Sequence, residues 1–403
     1  LDAISEMHPI FLSAKSMHAA WVNSPVLYQA GINAQTPDPY NGKIERDSRG
    51  NPTGILLESA QRLAEKIIPK PTLEQICQTL LKAQEALLQF GITAIHDVDC
   101  WESLQAFQKL RRIGKLRLRV VKSIPHNYLE NAINMGLHTG EGNNWLHIGW
   151  LKLFADGALG PQTAAMLEPY EGKKRGLGTL SLNAHTLYEI GCSSVKHGIS
   201  LEIHAIGDRA NREALNAFEA LNKNTRLPQL RIPHRIEHVQ LITPQDQQRL
   251  AKLQITASMQ PIHVISDKEI AEYYWGIRCR FAYAWQSILK SGALLIFGSD
   301  APVESPNPFL GLHAAITRKS RNDLPTTIGW HPEQCLKLEE AIAAYISAPP
   351  QAAGLGNQIG KLSPHSFADL VVLPSNPYKL PDNEIANLKP IATMVNGEWV
   401  WHL

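Results

Sequence analysis

From residue 71 onward two hydrophobic periods alternate along the chain. In PTLEQICQTLLKAQEALLQFG (71–91) apolar residues recur at helical spacing behind a Pro-Thr start and before a closing Gly, which predicts a capped helix. ITAIHDV (92–98) then switches to a short strand pattern, WESLQAFQKLRRIG returns to a helix, and LRLRVVKSI (116–124) is again a strand. Further strands are predicted at IGWLKLFAD (148–156), ISLEIHAIG (199–207), RIPHRIEHVQ (231–240), ITASMQP (255–261) and ALLIFGSDAP (293–302). Helical patterns near 184–197, 208–223, 244–253 and 280–291 separate them. Strands alternating with helices build βαβ units and a parallel sheet, so the expected class is α/β and the expected architecture a TIM (β/α)8-type barrel. About seven strands are legible where such a barrel has eight.

The flanks read differently. Residues 1–70 are punctuated by Pro and Gly and predict an irregular segment ending in a helix. Beyond a helical stretch near 337–355, GKLSPHSFADLVVLPSN and IATMVNGEWVWHL are two β-rich pieces separated by turn residues, expected to form part of a small separate sheet.

Composition narrows the class. Lys and Arg total 39 against 37 Asp and Glu, for a net charge of +2, so no charge excess points to nucleic acid or a membrane surface. A chain 44% hydrophobic and 19% charged is that of an ordinary soluble enzyme. The five cysteines are scattered and form no C-x-x-C, which argues against a disulfide framework and for a reducing cytoplasm. A small-molecule substrate and a homodimer are the partners this reading allows, with no nucleic acid and no membrane.

One residue does not fit its strand. In HIGWLKLFADGALG (147–160) Lys152 interrupts a nearly continuous apolar run, and an unpaired buried ammonium costs several kcal/mol. Other unusual polar residues fall near the ends of other predicted strands: His204 in LEIHAIGD, His238 in RIEHVQ and Asp300 in LLIFGSD. A barrel would bring all four to one mouth. Neutral imidazoles and a carboxylate are ligands for zinc or another transition metal. A lysine that has reacted with CO₂ becomes an anionic carbamate able to bridge two metals. Alone, Lys152 could instead snorkel to the mouth or pair with Asp156, and His96 in AIHDV is as readily structural as functional.

The ordered series KLFADGALG, HAIGDRA, RIEHVQ, SMQPIH, GSDAPVESPNP and GKLSPHSFADLVVL resembles the amidohydrolase superfamily, in the branch that includes N-substituted formamide deformylases and metal-dependent hydrolases. MHAAWVNSPVLYQAGI and DSRGNPTGILLE resemble the insertion this branch carries after its first barrel strand. The resemblance implies an insertion over 1–70, a metal-dependent hydrolase barrel over 71–355 and the C-terminal part of a small β-sandwich domain over 356–403. It implies that Lys152 is the carboxylated bridging lysine, that His204 and His238 are metal ligands, and that Asp300 binds metal and acts as general base. The cofactor is then a divalent metal, zinc by preference, as one or two ions. Candidate substrate-binding residues are His18, Glu58, Asp156, Gln162 and His263.

Two departures stand out. The family's first-strand H-x-H pair is absent, and GPQTA has Gln162 where the family often has Arg. The first departure reads as a lost first strand. It predicts a gap between the strands at 92–98 and 293–300, and tail strands around 367–373 and 392–401 without partners. A segment with such open edges is expected to be poorly soluble, weakly metallated and inactive when expressed alone. The implied reaction is hydrolysis of a non-peptide C–N bond in an amide, formamide or related small molecule. An ester, lactone or phosphotriester hydrolase on the same scaffold, or a silent barrel with a binding role, are the alternatives.

Overall fold

The computed structural model describes all residues except 174 and 325. Its centre is a seven-stranded parallel sheet formed, in chain order, by Ala94–Asp97, Arg119–Pro125, Leu146–Phe154, Leu201–Ala205, Arg235–His238, Thr256–Met259 and Leu295–Phe297. Each strand pairs with the next, and among the described residues the first and last do not pair with each other. The sheet is an incomplete TIM barrel, open between Ala94–Asp97 and Leu295–Phe297, where the sequence predicts a gap.

Most of the longer outer helices, among them Leu73–Gln89, Trp101–Arg112 and Asp208–Lys223, are amphipathic and bury their apolar stripes against this sheet in one continuous core. The helix Leu73–Gln89 shows how locally the ends are set. Thr72 and Gln75 form a reciprocal capping box, and Gly91, at φ +79°, closes the other end. A side chain at Gly91 would place its Cβ 2.7 Å from Val371 Cγ2, so the glycine also lets the tail pack closely. Near 280–291 the observed helix is shorter, Trp285–Lys290, because residues 276–281 wind as a 3₁₀ turn. Among the described residues no helix is long and apolar enough to cross a membrane.

The front of the chain is more regular than its sequence predicts. Phe11–Ser13, Ala19–Val22, Pro52–Glu58 and Gly42–Arg46 form, in that spatial order, a four-stranded antiparallel sheet. Val22, Val26, Ile32, Ile44, Leu56, Ala60 and Ala64 give it a core of its own. Its strands are short and broken by Pro and Gly, so period-2 alternation has too few residues to stand out.

The tail corrects a second expectation. Its strands do have partners, namely each other: Leu370–Val372, Ala392–Val395 and Glu398–His402 make a three-stranded antiparallel sheet. The device is Asn396-Gly397, both at positive φ (+55° and +82°), the turn chemistry that closes a tight hairpin. Asp369 fixes this sheet to the barrel through a buried two-point ion pair with Arg119, at 2.5 and 2.8 Å, while the guanidinium stacks 4.0 Å from the Phe367 ring centre.

Candidate metal centre

Parallel neighbours in register point to the same face of a sheet, and here they carry charge. Lys152 is paired in register with Glu202, and Glu202 with Arg235. Lys152 Nζ lies 3.4 Å from Glu202 Oε1, and Arg235 Nη2 lies 2.9 Å from the same oxygen. Ser123 donates to the other Glu202 oxygen at 2.5 Å. Arg235 also approaches Glu237 Oε1 at 2.7 Å and donates to His96 Nδ1 at 2.8 Å. The buried lysine therefore has a counterion, and it is Glu202 rather than Asp156. Burial opposes ionisation of Glu202, but Arg235 and Lys152 hold its carboxyl well below the usual range. An unmodified ammonium is accommodated at this position, so the cost of burying charge does not by itself require a carbamate.

One layer nearer the strand ends stand the imidazoles. His204, on the strand beside Lys152's, is buried, and its ring centre lies 4.7 Å from that of His238 in an edge-on contact. His204 Nε2 meets the Gly157 carbonyl at 2.9 Å; a carbonyl only accepts, so Nε2 carries the proton. His238 ends its strand at φ +75°, and the left-handed turn breaks the strand's alternation. Its Nδ1 bonds Gln260 Oε1 at 2.8 Å while the Gln260 amide nitrogen reaches Glu237 at 3.4 Å, which orients the amide, puts the His238 proton on Nδ1 and leaves a lone pair at Nε2. Burial pushes His238 down to about 4, with Asp300 opposing, and pushes His204 well below the ordinary value. Both rings are neutral at neutral pH, the state a metal ligand needs.

His263 opens the helix after the Thr256–Met259 strand, and Asp300, at φ +56°, lies just beyond Leu295–Phe297. His263 Nε2 is 3.4 Å from Asp300 Oδ2. His238, His263 and Asp300 each offer one ligand atom, and these atoms lie within 4.8 Å of one another. Among the described residues His263 Nε2 is also buried without a well-directed hydrogen bond, an orphan polar atom of the kind a cation satisfies. The donor set of two imidazoles and a carboxylate fits a divalent metal.

The other sequence candidates form a second group. His18 Nδ1 bonds Glu58 Oε2 at 2.9 Å, and the Thr163 hydroxyl donates to Glu58 Oε1. The ring of His18 is 5.4 Å from that of His204. Gln162, next to Thr163, has a buried Oε1 without a partner among the described residues. Asp156 Oδ1 lies 3.5 Å from His204 Nε2, but the carboxylate is taken up chiefly by backbone. Its two oxygens accept backbone N–H bonds from Ala165, Ile206 and Gly207 at 2.8, 3.0 and 2.8 Å, which clamps the loop after the Lys152 strand to the loop after the His204 strand. Burial raises its carboxyl to about 7 against these three donors.

Sequence reading missed Glu202, Arg235, Glu237, Gln260 and Thr163. A signal existed for three of them. Glu202 precedes His204 by two residues, and Arg235 and Glu237 alternate by two in the next strand, so each pair shares a face.

Comparison with known proteins agrees with this geometry. The sequence profile described as Amidohydrolase family matches residues 1–401. The chain is 30% identical to YtcJ of Bacillus subtilis (strain 168), covering all of this chain and 75% of that protein. It is 25% identical to the N-substituted formamide deformylase of Arthrobacter pascens, covering 98% of this chain and 74% of that one. Among solved structures, an uncharacterized metal-dependent hydrolase from Pyrococcus horikoshii OT3 superposes with a TM-score of 0.77 at 29% identity, covering 95% of this chain and 74% of that one.

Proposed function

The chain belongs to the amidohydrolase family, and from that membership we propose that it hydrolyses a non-peptide C–N bond in a small amide, formamide or related molecule. The observation that carries this reading is the convergence of His238, His263 and Asp300 at the carboxyl ends of successive strands, with ligand atoms within 4.8 Å. The C–N bond is supported by the similarity to a formamide deformylase.

Zinc suits the donor set best, as one ion or two. His204, His238 and Asp300, with Lys152 as the carboxylated bridge, are the proposed ligands, and His263 joins them on its distance to Asp300. A bound divalent ion would supply Lewis acidity, lowering the pKa of water and polarising the carbonyl. Asp300 takes a proton from the attacking water and returns it to the leaving nitrogen. Burial would raise its carboxyl, but the neighbouring His263, 3.4 Å away, holds it below the ordinary range, so it is ionised and ready to accept. Gln260 holds His238 in the tautomer that presents Nε2. His18, Glu58 and Gln162 flank the substrate.

The test is metal analysis of the purified protein followed by turnover of 4-nitroformanilide and of 4-nitrophenyl formate with zinc added and with chelator. Zinc-dependent anilide cleavage is expected. Cleavage of the ester alone would replace the C–N reading, and turnover indifferent to chelator would remove the metal.

A further inference from the structure

The turn at residues 14–18, between the strands Phe11–Ser13 and Ala19–Val22, is fastened on two sides of the metal cluster. On one side Lys15 Nζ bonds Glu304 Oε1 at 2.6 Å, and Ser266 donates to the same oxygen at 3.0 Å. Glu304 follows Asp300 by four residues, and Ser266 follows His263 by three. On the other side His18 is bonded to Glu58, Glu58 to Thr163, and the His18 ring lies against His204. The turn thus runs from the Asp300 side of the mouth to the His204 side and borders the cluster.

The chemistry this turn brings to the mouth is set by one ring. A carboxylate only accepts, so the His18 proton facing Glu58 sits on Nδ1. Among the described residues the hydrogen bond of the His18 ring is the one at Nδ1, which leaves Nε2, on a ring that keeps 16% exposure, open to a ligand. The ring so held offers an acceptor at Nε2, and Gln162 Oε1, beside the Thr163 that anchors Glu58, is a second acceptor without a partner among the described residues. The acceptor at His18 Nε2, its other ring nitrogen already committed to Glu58, is matched by a substrate that brings a hydrogen.

We propose that His18, oriented by Glu58, is a specificity residue whose Nε2 accepts a hydrogen bond from the substrate N–H, so that the site prefers secondary amides to tertiary amides and esters. This rests on the hydrolase reading and narrows it to a substrate class. An N-alkylated nitrogen or an ester oxygen covers Nε2 without giving it a hydrogen, and a site built around a hydrogen bond rejects analogues lacking it far more strongly than a site built on apolar contact.

The test is calorimetric binding of 4-nitroacetanilide and its N-methyl derivative to the zinc-loaded protein, with folding of each variant checked by circular dichroism. The secondary amide should bind about tenfold more tightly or better. His18→Leu should erase that ratio, and His18→Gln, which keeps an acceptor oxygen, should retain part of it. Equal binding of the two amides by the unaltered protein, a ratio that survives in His18→Leu, or no binding of either amide would overturn the proposal. Turnover of the same compounds is read separately. A binding ratio that depends on His18, with no turnover of any amide, would support this role and count against the hydrolase reading; turnover of both amides at equal rates would do the reverse.

Discussion

Nε2 of His263 stands 3.4 Å from Oδ2 of Asp300, joining the first residue of one helix to the end of the following strand. The two groups shift each other in opposite senses. Burial would lower His263, but the Asp300 carboxylate 3.4 Å away raises it, while the same contact holds Asp300 down. Replacing Asp300 with Asn keeps the shape and removes both the negative charge and the ability to take a proton. Turnover should fall by roughly 10²–10⁴-fold, the usual worth of general base catalysis. Steady-state kinetics beside metal analysis checks this; a variant within about threefold of the unaltered protein would assign the base elsewhere.

Lys152 and Glu202 give a second prediction, because two accounts of the lysine now compete. As counterion, Lys152 shares Glu202 with Arg235. Glu202→Gln would strand the buried Lys152 and leave Arg235 only Glu237, and should cost about 3–5 kcal/mol in denaturant unfolding. Lys152→Ala leaves Glu202 its arginine and should cost less. As a carboxylated ligand, Lys152 would matter for metal instead. In that case Lys152→Ala lowers zinc content, and a small carboxylic acid such as propionate partly restores it. Unchanged zinc content would leave the lysine as a counterion only.

The same residues mark what could be read in advance. The barrel strands were legible because buried parallel strands are short apolar runs set between amphipathic helices, and Lys152, His204, His238 and Asp300 stood out as polar exceptions near their ends. The grouping was not legible. Nothing in the order of residues says that Lys152 faces Glu202, since that depends on register between strands some 50 positions apart. Nor does it say that His238 leaves its strand in a left-handed turn, or that the Asp156 carboxylate is taken up by three backbone N–H groups. The tail hairpin was legible in principle, since Asn396-Gly397 spells its turn. The helix His263–Trp275 was not, because its apolar residues do not gather on one face.

Gly157 ties the front sheet to the barrel mouth. Its carbonyl holds His204, and a Cβ there would lie 2.2 Å from Thr163 Oγ1 and 2.3 Å from Glu58 Oε1. Gly157→Ala must therefore push apart the Thr163–Glu58 contact that supports His18. We expect a loss of about 1–3 kcal/mol in stability, typical of overpacking, together with weaker binding of the secondary amide. Unfolding curves and calorimetry would show both; an unchanged amide affinity would mean that Glu58 does not need Thr163 to hold His18.

The last prediction concerns a histidine that the proposed chemistry leaves aside. His234 accepts a hydrogen bond from the Leu201 backbone N–H at 2.9 Å through Nδ1, and its ring stacks on Phe218 with centres 4.9 Å apart. Burial pushes its pKa from 6.5 down to about 4. Protonation would place a charge in an apolar setting and turn the accepting nitrogen into a donor facing another donor. In the unfolded chain the ring takes its proton near pH 6.5, whereas the folded protein resists until about pH 4. Between those values the unfolded state binds more protons, so the contribution is complete above pH 6.5 and is lost as pH falls toward 4. The loss from this one residue by pH 5 is about 2 kcal/mol. Urea unfolding of the protein and of His234→Gln at pH 7.5 and pH 5 isolates it. The substitution should destabilise at pH 7.5, where it gives up the ring stacking, yet lose about 2 kcal/mol less than the parent on going to pH 5. Identical pH dependence in the two proteins would show that His234 is already protonated in the fold, with Leu201 N–H satisfied in some other way.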